Sequence, residues 1–335
     1  MNQSPSIIDR RRLLRGAGAG LTAAVLGSAA WPVRAQGFSG RPVRLLVGFA
    51  AGGTNDLIAR EIAPKFGEML GTSVVVDNRP GANGVVAASA VARAQPDGTT
   101  LLFTYAGTFA QNPHTMLSQP YDVFRDFTPI GLVAVGPSVL VGWTGLPVRD
   151  VRELVAFAKA NPGKLSISSS GTGTSTHIYA EILMREAGIQ LLHVPYKGAG
   201  DAARDLMAGT VQLTFTGAAT GVQFVNSGRA RLLGITQAQR SPLFPELPTM
   251  AEQGVAGLDL PGWQGIFGPP NLPPQLLDQL NGALTRALAD AGTRAQVGKL
   301  LWEARPSAPA ELGRIVRSDY ERWGKMIRDL GIKPQ

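Results

Sequence analysis

A chain of 335 residues, 44% apolar and 17% charged, is long enough to bury more than one hydrophobic core, and its lack of cysteine excludes disulfides and thiolate zinc sites. Five Arg and one Asp lie in the first 35 residues, a net +4, so half of the formal +8 belongs to that leader and the other 300 residues carry only +4. No run of Lys or Arg in that remainder marks a nucleic-acid surface, and a mild positive excess suits a small anionic ligand.

The leader reads as an export signal. Arg10-Arg11-Arg12 precede Leu13-Leu14 and Arg15, an apolar stretch follows from Gly16 to Ala30, and Val33-Arg34-Ala35 ends it with small residues. This is the pattern of a twin-arginine-type signal peptide over residues 1–35, cleaved near Ala35 to leave Gln36 first. The apolar run is shorter than the roughly 20 residues a span requires. The expectation is a periplasmic body without stable membrane insertion.

The elements then alternate. Val43–Val47 is an apolar run ending at Gly48, which reads as a buried strand. Thr54–Leu70 spaces Leu57, Ile58, Ile62, Phe66 and Met69 as a helix does, with a kink expected at Pro64. Ser73–Asp77 is strand-like, Gly84–Ala94 is a helix of small residues, Pro96-Asp97-Gly98 is a turn and Thr99–Tyr105 is a third strand. The rhythm repeats. Asp150 caps a helix to Ala160, which Asn161-Pro162-Gly163 ends. Leu165–Ser169 is a strand, Thr174–Ala187 a helix, Leu191–Val194 a strand and Ala202–Ala208 a helix stopped by Gly209. Val211–Thr216 and Arg231–Thr236 are further strands, and Pro274–Leu301 and Pro309–Leu330 are long helical patterns.

Alternating β and α predicts an α/β fold of two mostly parallel sheets flanked by helices. Two extended stretches, Pro129–Trp143 and Leu258–Phe267, lie at the block edges and read as crossovers. They predict one lobe from 36–138 plus 263–335, with the C-terminal helices packed on it, and a second from 139–262.

Four glycine-rich loops each follow a strand and precede a helix: 48–56, 78–84, 168–177 and 196–201. In open α/β sheets ligands bind beyond the carboxyl ends of the strands, where helix N-termini expose free N–H groups that suit anions. None of the loops matches the nucleotide fingerprints G-x-G-x-x-G or G-x-x-x-x-G-K-[ST]. His114, His177 and His193 form no metal-ligand pair at close helical spacing, so no metal or cofactor is expected. His193 reads as a core residue on its strand and His114 as a loop residue. Trp143, Trp263, Trp302 and Trp323 read as packing residues. Ser168–Ser170 with His177 leaves one alternative open, a periplasmic hydrolase, although the loop is not a G-x-S-x-G elbow and shows no orienting acid.

At these loops the chain resembles the tripartite tricarboxylate transporter substrate-binding proteins, the Bug or TctC family. The matches are Val47-Gly48-Phe49 through Gly52-Gly53-x-x-Asp56-x-x-Ala59-Arg60, then Val76-Asp77-Asn78-Arg79-Pro80-Gly81-Ala82-x-Gly84. Ser170-Gly171-x-Gly173-Thr174 through His177 follows, then His193-Val194-Pro195-Tyr196-Lys197-Gly198 and Asp205-Leu206-Met207-Ala208-Gly209. One departure is Ala51, where the family usually has proline. The resemblance implies a two-lobed, flytrap-like periplasmic binding protein that is not an enzyme. It would capture a small carboxylate and pass it to a membrane permease of one large and one small subunit, acting as a monomer. Carried over, lobe one contributes Phe49, Gly53, Thr54 and Asp56, with Thr104, Tyr105, Gly107 and Thr108 nearby. Lobe two contributes Ser170, Gly171, Gly173, Thr174, His177, Lys197 and Gly198. Asp56 is expected to face the cleft and to meet N–H groups of residues 197–200 as the lobes close.

Overall fold

The computed structural model describes residues 41–196 and 199–334; the signal peptide expected at 1–35 and the Lys197-Gly198 pair lie outside them. The first βαβ block runs β1 (Val43–Val47), α1 (Thr54–Leu70), β2 (Val74–Asn78), α2 (Val85–Ala92) and β3 (Thr100–Tyr105). Gly107–Gln111 is a π-helical turn that leads into the short α3 (Asn112–Thr115). β4 (Thr128–Gly136) then hands over to β5 (Ser138–Trp143). The second block holds α4 (Val151–Ala160), β6 (Ser166–Ser169), α5 (Ser175–Ala187), β7 (Leu192–Pro195), α6 (Ala199–Ala208), β8 (Leu213–Gly217), α7 (Ala218–Asn226) and β9 (Ala230–Ile235). The chain returns through β10 (Gly262–Gly268) to α8 (Pro274–Ala289), α9 (Ala291–Lys299), β11 (Glu303–Ala304) and α10 (Pro309–Asp329).

These strands make two sheets, ordered β11-β4-β10-β3-β1-β2 and β7-β6-β8-β5-β9. The expected parallel pairing holds in the βαβ centres, where β1 pairs parallel with β2 and β3, and β6 with β7 and β8. The strands that carry the chain between sheets join antiparallel, so each sheet is mixed rather than mostly parallel. The reason is geometric: β10 and β5 enter their sheets at the edge where the parallel strands end and must run against them, while β4 and β9 run with the parallel strands and pair only with those entering strands among the long ones.

The register makes that edge the meeting place of the two halves. Gln264 at the start of β10 pairs with Tyr105 at the end of β3, and Gly262 pairs with Gly136 at the end of β4. In the other sheet Ser138, the first residue of β5, pairs with Gly217, the last of β8. Both crossovers therefore lie beside the carboxyl ends of the parallel strands, and the loops that leave those ends gather around the crossing point.

Pro64 lies inside α1, which continues through it as one helix. It stands on the exposed face, where water can solvate the carbonyl that loses its partner, and the helix runs on to Gly71 at φ 71°. The pattern over Pro274–Leu301 is two helices, because Asp290 takes an extended conformation and its carboxylate accepts the Thr293 N–H at 2.8 Å to cap α9. The expected cap at Asp150 is present, accepting the Glu153 N–H at 2.8 Å. Apolar residues on α8 and α9 pack against the first sheet, but α10 does not belong to one half. Leu312 and Val316 enter the core beside α2, whereas Trp323 and Ile327 join the core of the second sheet with Tyr179 of α5.

Candidate functional site

The loop after β1 is tied down by Asp56. Its carboxylate accepts the Gly52 N–H at 2.8 Å and pairs with the Arg60 Nε at 2.9 Å. Arg60 in turn donates to the Asn78 side-chain Oδ1 at 2.8 Å, and the Asn78 Nδ2 donates to the Phe49 backbone carbonyl at 3.1 Å. The loops after β1 and β2 thus form one hydrogen-bonded unit. Asp56 is buried. Burial opposes its charge, but the Arg60 and Asn78 hydrogen bonds, the Gly52 amide and the Arg60 charge outweigh that and hold its pKa below the ordinary carboxylate value. Asp56 therefore shapes the loop from beneath rather than presenting a free carboxylate to a partner.

Close backbone approach explains two of the glycines. A Cβ on Gly48 would sit 2.5 Å from the Gly84 Cα, and one on Gly84, at φ 91°, would sit 2.6 Å from the Thr108 Oγ1. Asn83, left-handed at φ 51°, is the hub of this stack. Its side-chain oxygen accepts from the Tyr105 hydroxyl at 2.9 Å, and its backbone carbonyl accepts from Thr108 Oγ1 at 3.0 Å and the Asn112 amide at 3.1 Å. Burial pushes the Tyr105 phenol up to about 12, so it serves as a neutral donor.

In the second half, Gly171 (φ 133°) and Gly173 (φ 76°) bend the loop between β6 and α5. Thr174 Oγ1 donates to the Gly171 carbonyl at 2.6 Å, and the Ser170 N–H donates to Thr176 Oγ1 at 3.0 Å. His177 lies under this loop at 7% exposure, its Nδ1 accepting the Gly173 N–H at 3.1 Å. The halves touch here: the Ser175 hydroxyl donates to Gln111 Oε1 at 2.6 Å, and Gly173 faces the Thr115 side chain.

The electrostatic character of the site is set by helix ends. No side chain caps α1, α5 or α7, which begin after Gly53, Thr174 and Gly217, whereas α4 and α9 carry aspartate caps. The first-turn N–H groups of α1, α5 and α7 have no intrahelical partner and carry the positive end of the dipole. The arginines at the lobe-one loops are already engaged, Arg60 by Asp56 and Arg79 by Asp77 at 3.3 Å. Among the described residues, the loops offer an anion amides and hydroxyls, with Arg60 and Arg79 already paired.

The sequence-derived residues fall into two groups. Phe49, Gly53, Thr54, Tyr105, Ser170, Gly171, Gly173 and Thr174 lie on the loops around the crossing with exposed or half-buried surface. Asp56, Thr104, Gly107, Thr108 and His177 are buried and support those loops, while Lys197 and Gly198 lie outside the described residues. Sequence reasoning missed Asn83, Gln111, Ser175, Glu181 and His193, and the turn from β8 into α7. The Asn83-Gly84 pair was a legible turn signal and Gly217 after a strand was another.

The serine–histidine contact of the hydrolase alternative does form, but with His193: Ser169 Oγ lies 2.7 Å from its Nε2. Ser169 is completely buried and its hydroxyl also meets the Gly171 carbonyl at 3.2 Å, so no substrate reaches it.

Two α/β halves joined by paired crossovers, with anion-seeking loops gathered at the joint, define a two-lobed solute-binding receptor. Residues 58–332 match the family described as the tripartite tricarboxylate transporter family receptor, TctC, and the chain belongs to that family. It is similar to the UPF0065 protein of the tcbD-tcbE intergenic region of Pseudomonas sp. strain P51, 37% identical over 96% of this chain and 94% of that protein. Among solved structures it is similar to the periplasmic binding protein BugD (33% identity, TM-score 0.78, 88% of this chain and 99% of that one). It is also similar to Rpa4515 of Rhodopseudomonas palustris with adipate (33%, TM-score 0.81, 91% and 100%). MatC of the same organism with bound malate gives 29% and TM-score 0.76 over 86% and 99%. Receptors of this family are periplasmic and are not enzymes, and no helix among the described residues is long and apolar enough to cross a membrane.

Proposed function

We propose that this chain is exported by its twin-arginine leader and captures a small carboxylate between two lobes, 36–138 with 263–335 and 139–262. It then delivers that carboxylate to a permease of one large and one small membrane subunit. The observation that carries this reading is the set of uncapped helix starts at Gly53, Thr174 and Gly217 around one joint, with Arg60 and Arg79 already paired. Each such helix end favours an anion by about 0.3–1 kcal/mol, more when partly buried. The adipate and malate held by the two Rhodopseudomonas relatives support dicarboxylates as the first ligands to try. Phe49, Gly53, Thr54, Tyr105, Ser170, Gly171, Gly173 and Thr174 form the contact surface; Lys197 and Gly198, outside the described residues, remain proposed ligand residues with them.

Thermal-shift screening of the mature protein against mono-, di- and tricarboxylates, followed by calorimetry, tests this. The expected result is a concentration-dependent rise in Tm with one ligand per chain, recovered unchanged after incubation. A folded protein that no carboxylate stabilises, or a ligand that is consumed, refutes it.

A further inference from the structure

Beneath the loop between β6 and α5 lies a set of groups that the contact surface does not use. The rings of His177 and His193 stack, 4.2 Å between centroids and 15° between planes. His177 Nε2 lies 3.3 Å from Glu181 Oε1, one helical turn along α5. One donor atom each of His177, Glu181 and His193 falls within 4.8 Å of the others, the spacing of a metal centre. We infer that these three residues are instead a latch that holds lobe two's ligand loop in its binding shape, with His177 as a positioning residue and not a ligand contact. This rests on reading Ser170–Thr176 as a ligand loop.

The hydrogen bonds choose between the two roles. His177 Nδ1 faces the Gly173 N–H, a group that can only donate, so Nδ1 presents its lone pair. A neutral ring then carries its proton on Nε2, which points at the Glu181 carboxylate. A histidine that binds metal through Nε2 normally donates its Nδ1–H to an acceptor. Here that proton would run into another proton, so a metal on Nε2 would break the Gly173 bond. Glu181 fixes the required tautomer, and the His177 hydrogen bond holds its pKa below the ordinary value against the pull of burial. His193 secures the other end of the same loop. Its Nε2 meets Ser169 Oγ at 2.7 Å, and Ser169 Oγ is bonded to both the carbonyl and the N–H of Gly171, at 3.2 and 3.3 Å. The two glycines that bend the loop are therefore each fastened to one histidine, and the stacked rings make the two fastenings one unit.

The test uses isosteres. Asn at position 177 places an amide oxygen where Nδ1 stands, whereas Gln places its amide where Nε2 stands. Hydrogen exchange of the 170–177 segment is followed in the ligand-free protein, with adipate affinity as the second readout. His177→Gln should speed loop exchange by about five- to tenfold and weaken adipate similarly, the scale of one hydrogen bond. His177→Asn should stay within about threefold of the parent. If His177→Gln does not fold, His193→Phe keeps the stack but loses the Ser169 bond, and His193→Gln restores that bond; only the first should loosen Gly171. Zinc chloride should neither slow loop exchange nor raise Tm. Unchanged exchange in both His177 variants, with adipate binding lost, would make His177 a ligand contact and overturn the latch. Zinc that stabilises the parent but not His177→Gln would make the set a metal site. A latched loop in a protein that binds no carboxylate would refute the reading of the site while supporting the latch, so the two failures are distinguishable.

Discussion

Replacing Gly136 by alanine should lock a methyl group against the indole that backs the crossover. The added Cβ would lie 2.4, 2.7 and 2.8 Å from the Trp302 Cδ2, Cε2 and Cε3 atoms, where carbon contacts are ordinarily about 3.5–4.0 Å. The indole would have to retreat by more than about 1 Å on that scale. Trp302 is 8% exposed and its far edge lies against Gly262, the strand partner of Gly136, so a retreat would have to go into the cavity it lines with Val135 and Pro137 and would give up that packing. Overpacking of this kind costs about 1–3 kcal/mol. The double-mutant cycle with Trp302→Leu isolates the clash: in that background Gly136→Ala should cost almost nothing, a coupling of about 1–3 kcal/mol. Gly142→Ala is the control, because the atom it would meet, at 2.9 Å, is a terminal methyl of Leu233 that can rotate away. Urea unfolding followed by far-UV circular dichroism gives the midpoints without relying on Trp302 fluorescence. A Gly136→Ala cost below about 0.5 kcal/mol, or one equal in both backgrounds, would refute the argument.

Asp56 has a lowered pKa in the folded protein, so its contribution to stability is complete above its unfolded value and is lost as pH falls through the folded one. The urea midpoint of the parent should exceed that of Asp56→Asn at pH 7, and the gap should narrow as pH falls below the ordinary carboxylate range of about 4; a gap that does not narrow there counts against the Asp56–Arg60–Gly52 unit. Asp319 is the opposite case: burial raises its pKa against the Trp263 indole N–H, which it accepts at 2.7 Å, and the Arg322 charge. A raised carboxylate favours the folded state when protonated and costs stability as pH rises through the folded value, so Asp319→Asn should be more stable than the parent at pH 7, with the advantage vanishing towards pH 4 on the same titration. Asp150→Ala removes the cap of α4 and should cost about 1 kcal/mol in urea without altering carboxylate affinity.

What could be read from the sequence was local. The apolar run before Gly48, the spacing of Ile58, Ile62 and Phe66, and the Asp150 cap each obey a rule that operates within one turn or one strand, and those three elements stand at their expected places, whereas α6 begins at Ala199, three residues before the expected Ala202. α7 escaped because Gly221 sits in its middle. The structure shows why a glycine is there: a Cβ would lie 2.6 Å from the Val139 methyl, so the helix must approach β5 closely. Pairing direction escaped because nothing within β10 tells which neighbours it will acquire. The site divides in the same way. Its backbone loops were legible from glycine, but His193 becomes part of it only when β7 pairs with β6 and its side chain comes beside Ser169, two residues beyond its register partner Ile167. Asp56 was expected to face the cleft and meet N–H groups of residues 197–200; Arg60, one turn on, claims its carboxylate instead.

The position of α10 completes the account of how the halves are held. The chain crosses twice between the sheets, from β4 to β5 and from β9 to β10, and a tryptophan packs on either side of the joint. Trp302 lies against Gly136 and Gly262 on the side of α8 and α9. Trp263 lies on the other, in the core beside α2, with its N–H held by Asp319 of α10. Arg322 donates to the Asp259 carbonyl at 2.8 Å, which fastens the helix to the chain just before β10 begins. Further along, Trp323 packs against Tyr179 of α5, and α5 is the helix whose first turn carries the ligand loop and whose Glu181 orients His177. The helix therefore contacts both lobes and the crossover itself. Because Leu312 and Val316 sit in one half and Trp323 and Ile327 in the other, a rotation of one sheet against the other would have to change the contacts of α10 with one of them.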